Sequence, residues 1–287
     1  MLTDETRQLG QFIPLHYHYN MLQDNNRMEN FLKAISQLVF PGDKVVELGG
    51  GTGVLSFYAA QKASKVYTVE LNLDLAEVAR GLLKMNPNGE RVEVIHGNAM
   101  EFVPPEPVDV VICEMLHVGL LREKQLEVIT AFKKNYIEKH GNKLPIFIPG
   151  ATFQAVQAVE HDFVFGGYYA PVTLFQDPYS IHERTKDLSE PVIYHQVLYN
   201  QSYSNEMAFS GNLQATANGK INALRFITKN ILAVNPDGTG TTDWHNQYMI
   251  LPLESPLEVK SGETVKISFS YNGGDPLTAV KPQILKG

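Results

Sequence analysis

The period of the apolar positions changes twice along the chain, and each change marks a change of architecture. Met28, Phe31, Leu32, Ile35, Leu38 and Val39 recur at three and four residues, which predicts an amphipathic helix, with Asp24 in the place of its N-cap. Before it, Met1 to Asn20 has no such period. It is rich in aromatics and histidine (Phe12, His16, Tyr17, His18, Tyr19) and reads as irregular. For His16 and His18, packing or ligand contact is the better reading than a metal pair.

From Val45 the apolar residues gather into short continuous runs. Val45 to Leu48, Lys65 to Val69, Val92 to Ile95 and Val108 to Cys113 read as strands buried on both faces. Between and after them, Val54 to Ala60, Leu73 to Met85 and Arg122 to Lys139 read as helices. Alternating strands and helices predict a mostly parallel, Rossmann-like α/β sheet with helices on both faces. After Pro149 the pattern changes again. Segments such as ATFQAVQAVE, VIYHQVLY, NALRFITKNILAV and VKISFSY are separated by Gly166-Gly167, Asn218-Gly219, Pro236-Asp237-Gly238 and Asn272-Gly273-Gly274. That predicts an all-β, barrel-like second domain. The organisation expected is therefore an N-terminal covering segment and helix over residues 1–40, a nucleotide-binding domain over 41–149 and a β domain over 150–287.

The turn after the first strand carries the first chemistry. Gly49, Gly51 and Gly53, with Gly50 and Thr52 between them, let the backbone turn tightly and lie bare to a ligand. The turn feeds a helix N-terminus, whose free N–H groups favour a carboxylate or phosphate. Glu70 follows at the end of the next strand, about 20 residues on, where a carboxylate can accept ribose hydroxyls. The third glycine of the dinucleotide pattern G-x-G-x-x-G would fall at Val54, so a dinucleotide is disfavoured and a ribose-bearing ligand of another kind is expected.

Composition narrows the classes. The 287 residues are 44% apolar and 19% charged, as in a globular protein able to bury a sizeable core. A net charge of −7 argues against a nucleic-acid partner and gives weak support to a cationic substrate. Cys113 is the single cysteine, so no internal disulfide can form. With no apolar run of membrane-spanning length and no signal-peptide core, a cytoplasmic protein without membrane contact is expected.

Two acids stand out beyond the fourth strand. Glu114 ends it, and Glu123 follows in EMLHVGLLRE. If the intervening residues loop back, both carboxylates face one pocket. The plain alternative is a strand-end acid and an unrelated acid in the next helix's first turn, where acids are favoured. Arg27 falls in the first turn of its own helix, an unfavourable place for a cation. It is either a solvated side chain or one with a second role.

Here the residues carry a resemblance. The pattern G-x-G-x-G with Glu47 before it resembles the first motif of S-adenosylmethionine-dependent methyltransferases. Four blocks, in order, are similar to the protein arginine methyltransferases. They are HYHYNMLQDNNRMENFLKAI with Met21, Leu22, Asp24 and Arg27 in register, the glycine loop with Glu70, the Glu114–Glu123 pair, and Thr242-Asp243-Trp244. The resemblance implies S-adenosylmethionine as cofactor and methyl transfer to an arginine guanidinium in a protein or peptide. It implies Glu114 and Glu123 as catalytic groups. Cofactor contacts would come from His18, Met21, Arg27, Glu47, Gly49, Gly51, Gly53, Glu70, Leu71, Asn98, Ala99 and Glu114, and substrate contacts from His117 and Trp244, with no metal. The sequence departs from the family at Met115, at His117, at Asp243 (where the family has histidine, facing the acid matching Asp24), and at Met100, with Glu101 one place from the acid that holds the adenine amine. Phe163 to Pro191 is short for the family's dimerisation arm, which leaves a homodimer open. Free arginine or another small guanidine or amine is the rival acceptor, and a cofactor-binding scaffold without catalysis is the rival of another class.

Overall fold

The computed structural model describes Ile13 and residues 15–286. Helices α1 (Leu15–Gln23) and α2 (Asn25–Leu38) come first. Then follow β1 (Lys44–Leu48), α3 (Val54–Ala60), β2 (Lys65–Glu70), α4 (Leu73–Lys84), β3 (Val92–His96), β4 (Val110–Cys113), α5 (Gln125–His140) and β5 (Ile146–Ile148). The five strands form one parallel sheet in the order β3-β2-β1-β4-β5. Val45 to Leu48 and Val110 to Cys113 are buried residue after residue, because helices cover both faces. The strand order reverses between β1 and β4, which makes the C-terminal ends of those two strands the place where such sheets form a ligand crevice.

The N-terminal helix departs from the sequence reading. Residues from Leu15 are helical, although an irregular segment was expected up to Asn20. Helix α1 buries no residue completely, so its sequence carries no apolar stripe to read. His18 and Met21, one turn apart, are its half-buried side chains. Phe12, with the rest of residues 1–12 and Pro14, lies outside the described residues. Helix α2 begins as expected: the Asp24 carboxylate accepts the Arg27 backbone N–H at 2.9 Å. Its buried stripe is Met28, Phe31, Ala34 and Ile35, together with Arg27.

Two further boundaries move. Strand β4 begins at Val110 rather than Val108. Helix α5 begins at Gln125, not Arg122, because Arg122 has φ 65°, a left-handed conformation that cannot enter a right-handed helix. Glu123 therefore lies in the loop ahead of α5, and the reading of it as a first-turn acid does not hold.

The second half is antiparallel: β6 (Ala151–His161), β7 (Val164–Phe165), β8 (Tyr168–Tyr169), β9 (Leu174–Gln176), β10 (Thr185–Asp187), β11 (Val192–Leu198), β12 (Glu206–Gln214), β13 (Gly219–Val234), β14 (Thr241–His245), β15 (Tyr248–Val259), β16 (Thr264–Asn272) and β17 (Gln283–Lys286). The strands pair as a seven-stranded sheet, a three-stranded sheet (β12-β16-β17) and the small β7-β8 hairpin, rather than as one continuous ladder. Between the larger sheets the rings of Tyr194, Phe209, Phe226 and Phe269 meet at centroid distances of 5.1–6.4 Å. Among the described residues no helix is long and apolar enough to cross a membrane, and no group of acids, histidines and cysteine is placed to hold a metal ion.

Trp244 on β14 joins the two halves. It is 6% exposed and meets Phe31 of α2 edge-on at 6.0 Å between ring centroids. Truncating a buried aromatic of this size costs about 3–5 kcal/mol. Trp244→Ala is therefore expected to lower the denaturant midpoint by a corresponding amount. As Trp244 is the only tryptophan, native emission should be blue-shifted and should report unfolding directly.

Candidate active site

The glycine turn forms a cradle at the head of the crevice. Gly49, Gly51 and Gly53 all have positive φ (78°, 54° and 83°). A Cβ at Gly51 would stand 3.0 Å from the His18 ring, and one at Gly49 would stand 3.0 Å from the Met115 side chain. The bare backbone thus lets α1 and the loop after β4 approach from above. His18 is held neutral, first by burial and then by the Arg27 charge, and its Nε2 is buried without a partner.

Two carboxylates shape the cradle from different sides. Glu70 accepts the Gly51 N–H at 2.9 Å and the Asn72 N–H at 2.8 Å, one on each oxygen, which fixes its side chain beside the turn. Glu47 is placed differently from the cofactor-contact role that the resemblance implied. One of its oxygens, Oε2, accepts from the Ser56 N–H at 3.0 Å, the Ser56 hydroxyl and the Thr68 hydroxyl at 3.1 Å. It caps the first turn of α3 and braces the glycine turn from behind. Burial pushes its pKa up to about 7, with the hydrogen bonds opposing.

The loop from Glu114 to Glu123 closes the other side. Its shape needs left-handed backbone at Gly119, Leu120 and Arg122. Hydrogen bonds from the β half hold it there. The Asn246 amide donates to the Leu116 carbonyl at 2.7 Å, and the Gly119 N–H donates to the Thr228 hydroxyl at 2.8 Å. The Gly274 N–H donates to Leu120 and the Arg122 N–H to Asp275, both at 2.8 Å. Asn246 is itself held by Asn230 at 2.9 Å, and Asn230 accepts from Thr152 at 2.8 Å, so a buried polar chain runs from the β sheet to the loop.

Here Arg27 and the two glutamates meet. The Arg27 guanidinium pairs with Glu114, and both side chains are about 8% exposed. The Arg27 Nε is buried with no partner of its own. Phe31 lies 5.6 Å beneath the guanidinium and continues into the Trp244 contact. Glu123 has no hydrogen-bonding or ion-pair partner for its carboxyl among the described residues. Burial, and then the Glu114 charge, push its pKa up to about 8, against the pull of Arg27 and Arg122. At neutral pH Glu123 therefore holds its proton beside a balanced Arg27–Glu114 pair, and it can ionise when a further positive charge comes close. A protonatable acid without a partner next to an ion pair is thus a place where a cation can be compensated.

The remaining expected site residues are spread around this centre. Ala99 is buried, and Asn98 spends its amide on the Met100 N–H and the Glu101 carboxylate at 3.0 and 3.1 Å. Leu71 is exposed at the cradle's rim. His117 packs edge-on against Phe175 at 5.4 Å, and burial lowers its pKa to about 4, so its ring is neutral. Trp244 is buried beneath α2 against Phe31, a packing position rather than the substrate contact the resemblance implied. Asp243 does not face Asp24 as an uncompensated acid, because Lys229 pairs with it at 3.1 Å and His245 stands 3.9 Å away. Lys229, Asn246, Thr228 and Tyr179, whose hydroxyl accepts the His245 N–H at 3.3 Å, were not legible in advance. Asn246, Thr228 and Tyr179 lie far along the chain from what they support.

A methyltransferase-domain family model matches residues 45–141. An uncharacterised protein of Methanocaldococcus jannaschii is 29% identical over 265 residues, which cover 92% of this chain and 95% of that protein. The arginine N(omega)-methyltransferase of Streptomyces achromogenes subsp. streptozoticus is 25% identical over 286 residues, covering 89% and 76%. Protein arginine N-methyltransferase PRMT10 of Arabidopsis thaliana is 35% identical over 134 residues, 46% of this chain and 35% of that one. The crystal structure of Arabidopsis protein arginine methyltransferase 10 superposes with a TM-score of 0.75 at 18% identity, covering 90% and 88%.

The raised Glu123 pKa makes a stability prediction. The folded chain holds this proton more tightly than the unfolded chain, from the ordinary value of 4.5 up to about 8. The contribution to stability is therefore full below 4.5 and is lost as pH rises through about 8. Glu123→Gln removes the titration. Its melting temperature should match the wild type near pH 5 and exceed it by about 2–4 °C near pH 9, for each kcal/mol of charge burial relieved. Melting curves of both proteins across that range check it.

Proposed function

The chain belongs to the protein arginine methyltransferase family, and from that premise we propose that it is an S-adenosylmethionine-dependent N-methyltransferase acting on the guanidinium group of arginine in a protein or peptide. The observation that carries the reading is the partnerless Glu123 carboxyl beside the Arg27–Glu114 pair. A guanidinium is the cation whose planar fork of donors best matches two carboxylates.

The residues fit the cofactor. The Gly49–Gly53 backbone would hold its amino-acid end, with the free Arg27 Nε and His18 Nε2 as polar partners there. Glu70, fixed by its two backbone N–H groups, keeps further lone pairs for ribose hydroxyls. Asn98 and Ala99 would flank the base, and Met21 and Leu71 would close the rim. When bound, S-adenosylmethionine supplies an electrophilic methyl group on a positively charged sulfur.

Everything else is work for the chain. Bringing a second cation to contact distance is repulsive by about 4 kcal/mol at an effective dielectric constant near 20. Glu114 and Glu123 offset that repulsion and fix the plane of the acceptor. An ionised guanidinium has no free lone pair, so carboxylates that draw its charge toward one nitrogen leave another more nucleophilic. The new N–C bond forms as the S–C bond breaks, with the electron pair going to sulfur. The nitrogen then gives up a proton, for which the Glu123 carboxylate is suited by its raised proton affinity. Closure by α1 and the loop excludes water, and in-line placement of the methyl group supplies much of the remaining rate.

A second reading keeps the chemistry and changes the acceptor to free arginine. The Streptomyces enzyme favours it, since that likeness runs through both halves of the chain whereas the PRMT10 sequence match covers 46%. The short Phe163–Pro191 segment favours it too. Transfer of labelled methyl from S-adenosylmethionine, offered to arginine-rich peptides, cell extract and free arginine, separates the readings. Label on protein or peptide is expected, and label on free arginine alone would move the acceptor to the small molecule. Glu114→Gln and Glu123→Gln should each lower kcat/KM by about 10²–10³-fold. Transfer that survives both substitutions would overturn the assignment of these carboxylates.

A further inference from the structure

Gln125 lies outside every role assigned so far, yet it is fully buried in the first turn of α5. Its side chain does not serve the helix. The Nε2 donates to the Cys113 carbonyl at 2.7 Å, and the Oε1 accepts the Met115 N–H at 2.9 Å and the Cys113 thiol at 3.2 Å. The amide thus binds the backbone on both sides of Glu114. Strand β4 ends at Cys113, where β1 still pairs through Leu48 but the pairing with β5 has stopped at Ile112. Beyond that point Gln125 supplies the partner for Cys113 and Met115, as a strand would.

The position matters as much as the bonds. Gln125 stands two residues after Glu123 on a rigid helix. One side chain therefore ties the backbone of the first glutamate to the backbone next to the second. Of the other supports of the loop, Asn246, Thr228 and Gly274 hold its middle and Asp275 holds Arg122 beside Glu123, but none reaches the peptide groups on either side of Glu114. Apolar packing could bury this site, but it could not fix a spacing, because it is not directional.

We propose that Gln125 is a positioning residue that sets the separation and aim of the Glu114 and Glu123 carboxylates by clamping Cys113 and Met115. The proposal rests on the reading of those carboxylates as the guanidinium site, and its test is arranged to fail separately from that reading.

The test compares wild type, Gln125→Leu and Gln125→Glu in the full chain. Leu keeps the bulk and removes all three polar contacts. Protonated Glu can restore them, its O–H donating to Cys113 and its carbonyl oxygen accepting from Met115, whereas ionised Glu cannot donate. Gln125→Leu is expected to lower kcat by about 10–100-fold, the scale of a misplaced catalytic group, with S-adenosylmethionine affinity unchanged. Gln125→Glu should recover activity at low pH and lose it, relative to wild type, as pH rises. Amide exchange at Met115 should be slow in wild type and fast in Gln125→Leu. Loss of cofactor affinity in parallel with kcat would make Gln125 a general structural residue and overturn the proposal. So would wild-type kcat and unchanged exchange in Gln125→Leu. If wild type methylates no guanidine at all, the functional reading fails, and the exchange comparison still decides whether Gln125 holds the loop.

Discussion

The constraint on which the site depends is the shape of one loop, Glu114 to Glu123. It must return two buried acids to the same place, against their mutual repulsion and with the non-glycine residues Leu120 and Arg122 in left-handed backbone. Each such residue costs about 1–2 kcal/mol. The same loop buries Leu116, Val118, Leu120 and Leu121, and burying each apolar side chain is worth about 1.5–3 kcal/mol. The burial exceeds the strain, so the loop can hold a costly shape. The directional contacts from Asn246, Thr228, Gly274 and Gln125 then select that shape from the many that would bury the same residues. Apolar area supplies the energy, and hydrogen bonds supply the geometry.

This explains why the two halves are packed together rather than merely tethered. The parallel sheet ends at the crevice with a cradle and one carboxylate, Glu70, already fixed. It cannot by itself hold the loop after β4, whose partners are mostly in β13, at β14's end and beyond β16. Nor can it hold Arg27, which rests on Phe31 and, through it, on Trp244 of β14. The polar chain Thr152–Asn230–Asn246 reaches the loop from inside the antiparallel sheet. On the proposed reading, cofactor residues come from the first half, while the aim of the acceptor-binding acids is set from the second.

What was legible in the sequence was what is local. The glycine turn, the acid ending the next strand, the Asp24 cap and the alternation of strands and helices follow from contacts a few residues apart. The Glu114–Glu123 pair was legible as a candidate only, because its meaning depends on whether the loop folds back, and two residues that hold its middle, Thr228 and Asn246, lie over a hundred positions away in the chain. Helix α1 was missed because it has no buried stripe. The start of α5 was misread because Arg122 is left-handed, a conformation no propensity suggests for arginine. The motif around Trp244 implied a substrate contact, whereas its neighbours bury it. Asp243 looked like a defect until Lys229, on the adjacent strand, was seen to pair with it.

The charges in the centre also order the events on the proposed reading. Arg27 now neutralises Glu114, which leaves Glu123 as the acid without a partner. A cationic acceptor arriving first would find only one carboxylate free, and that one largely protonated at neutral pH. A ligand carboxylate placed at the cradle would compete for the Arg27 guanidinium and release Glu114. Only then would two carboxylates face the acceptor, and the second positive charge of the bound cofactor would favour the ionised form of both. The same group that repels the acceptor therefore prepares the site that holds it. A single acid in this position, cancelled by Arg27, would give neither the neutralisation nor the planar match, so the need for two follows from the arginine beside them.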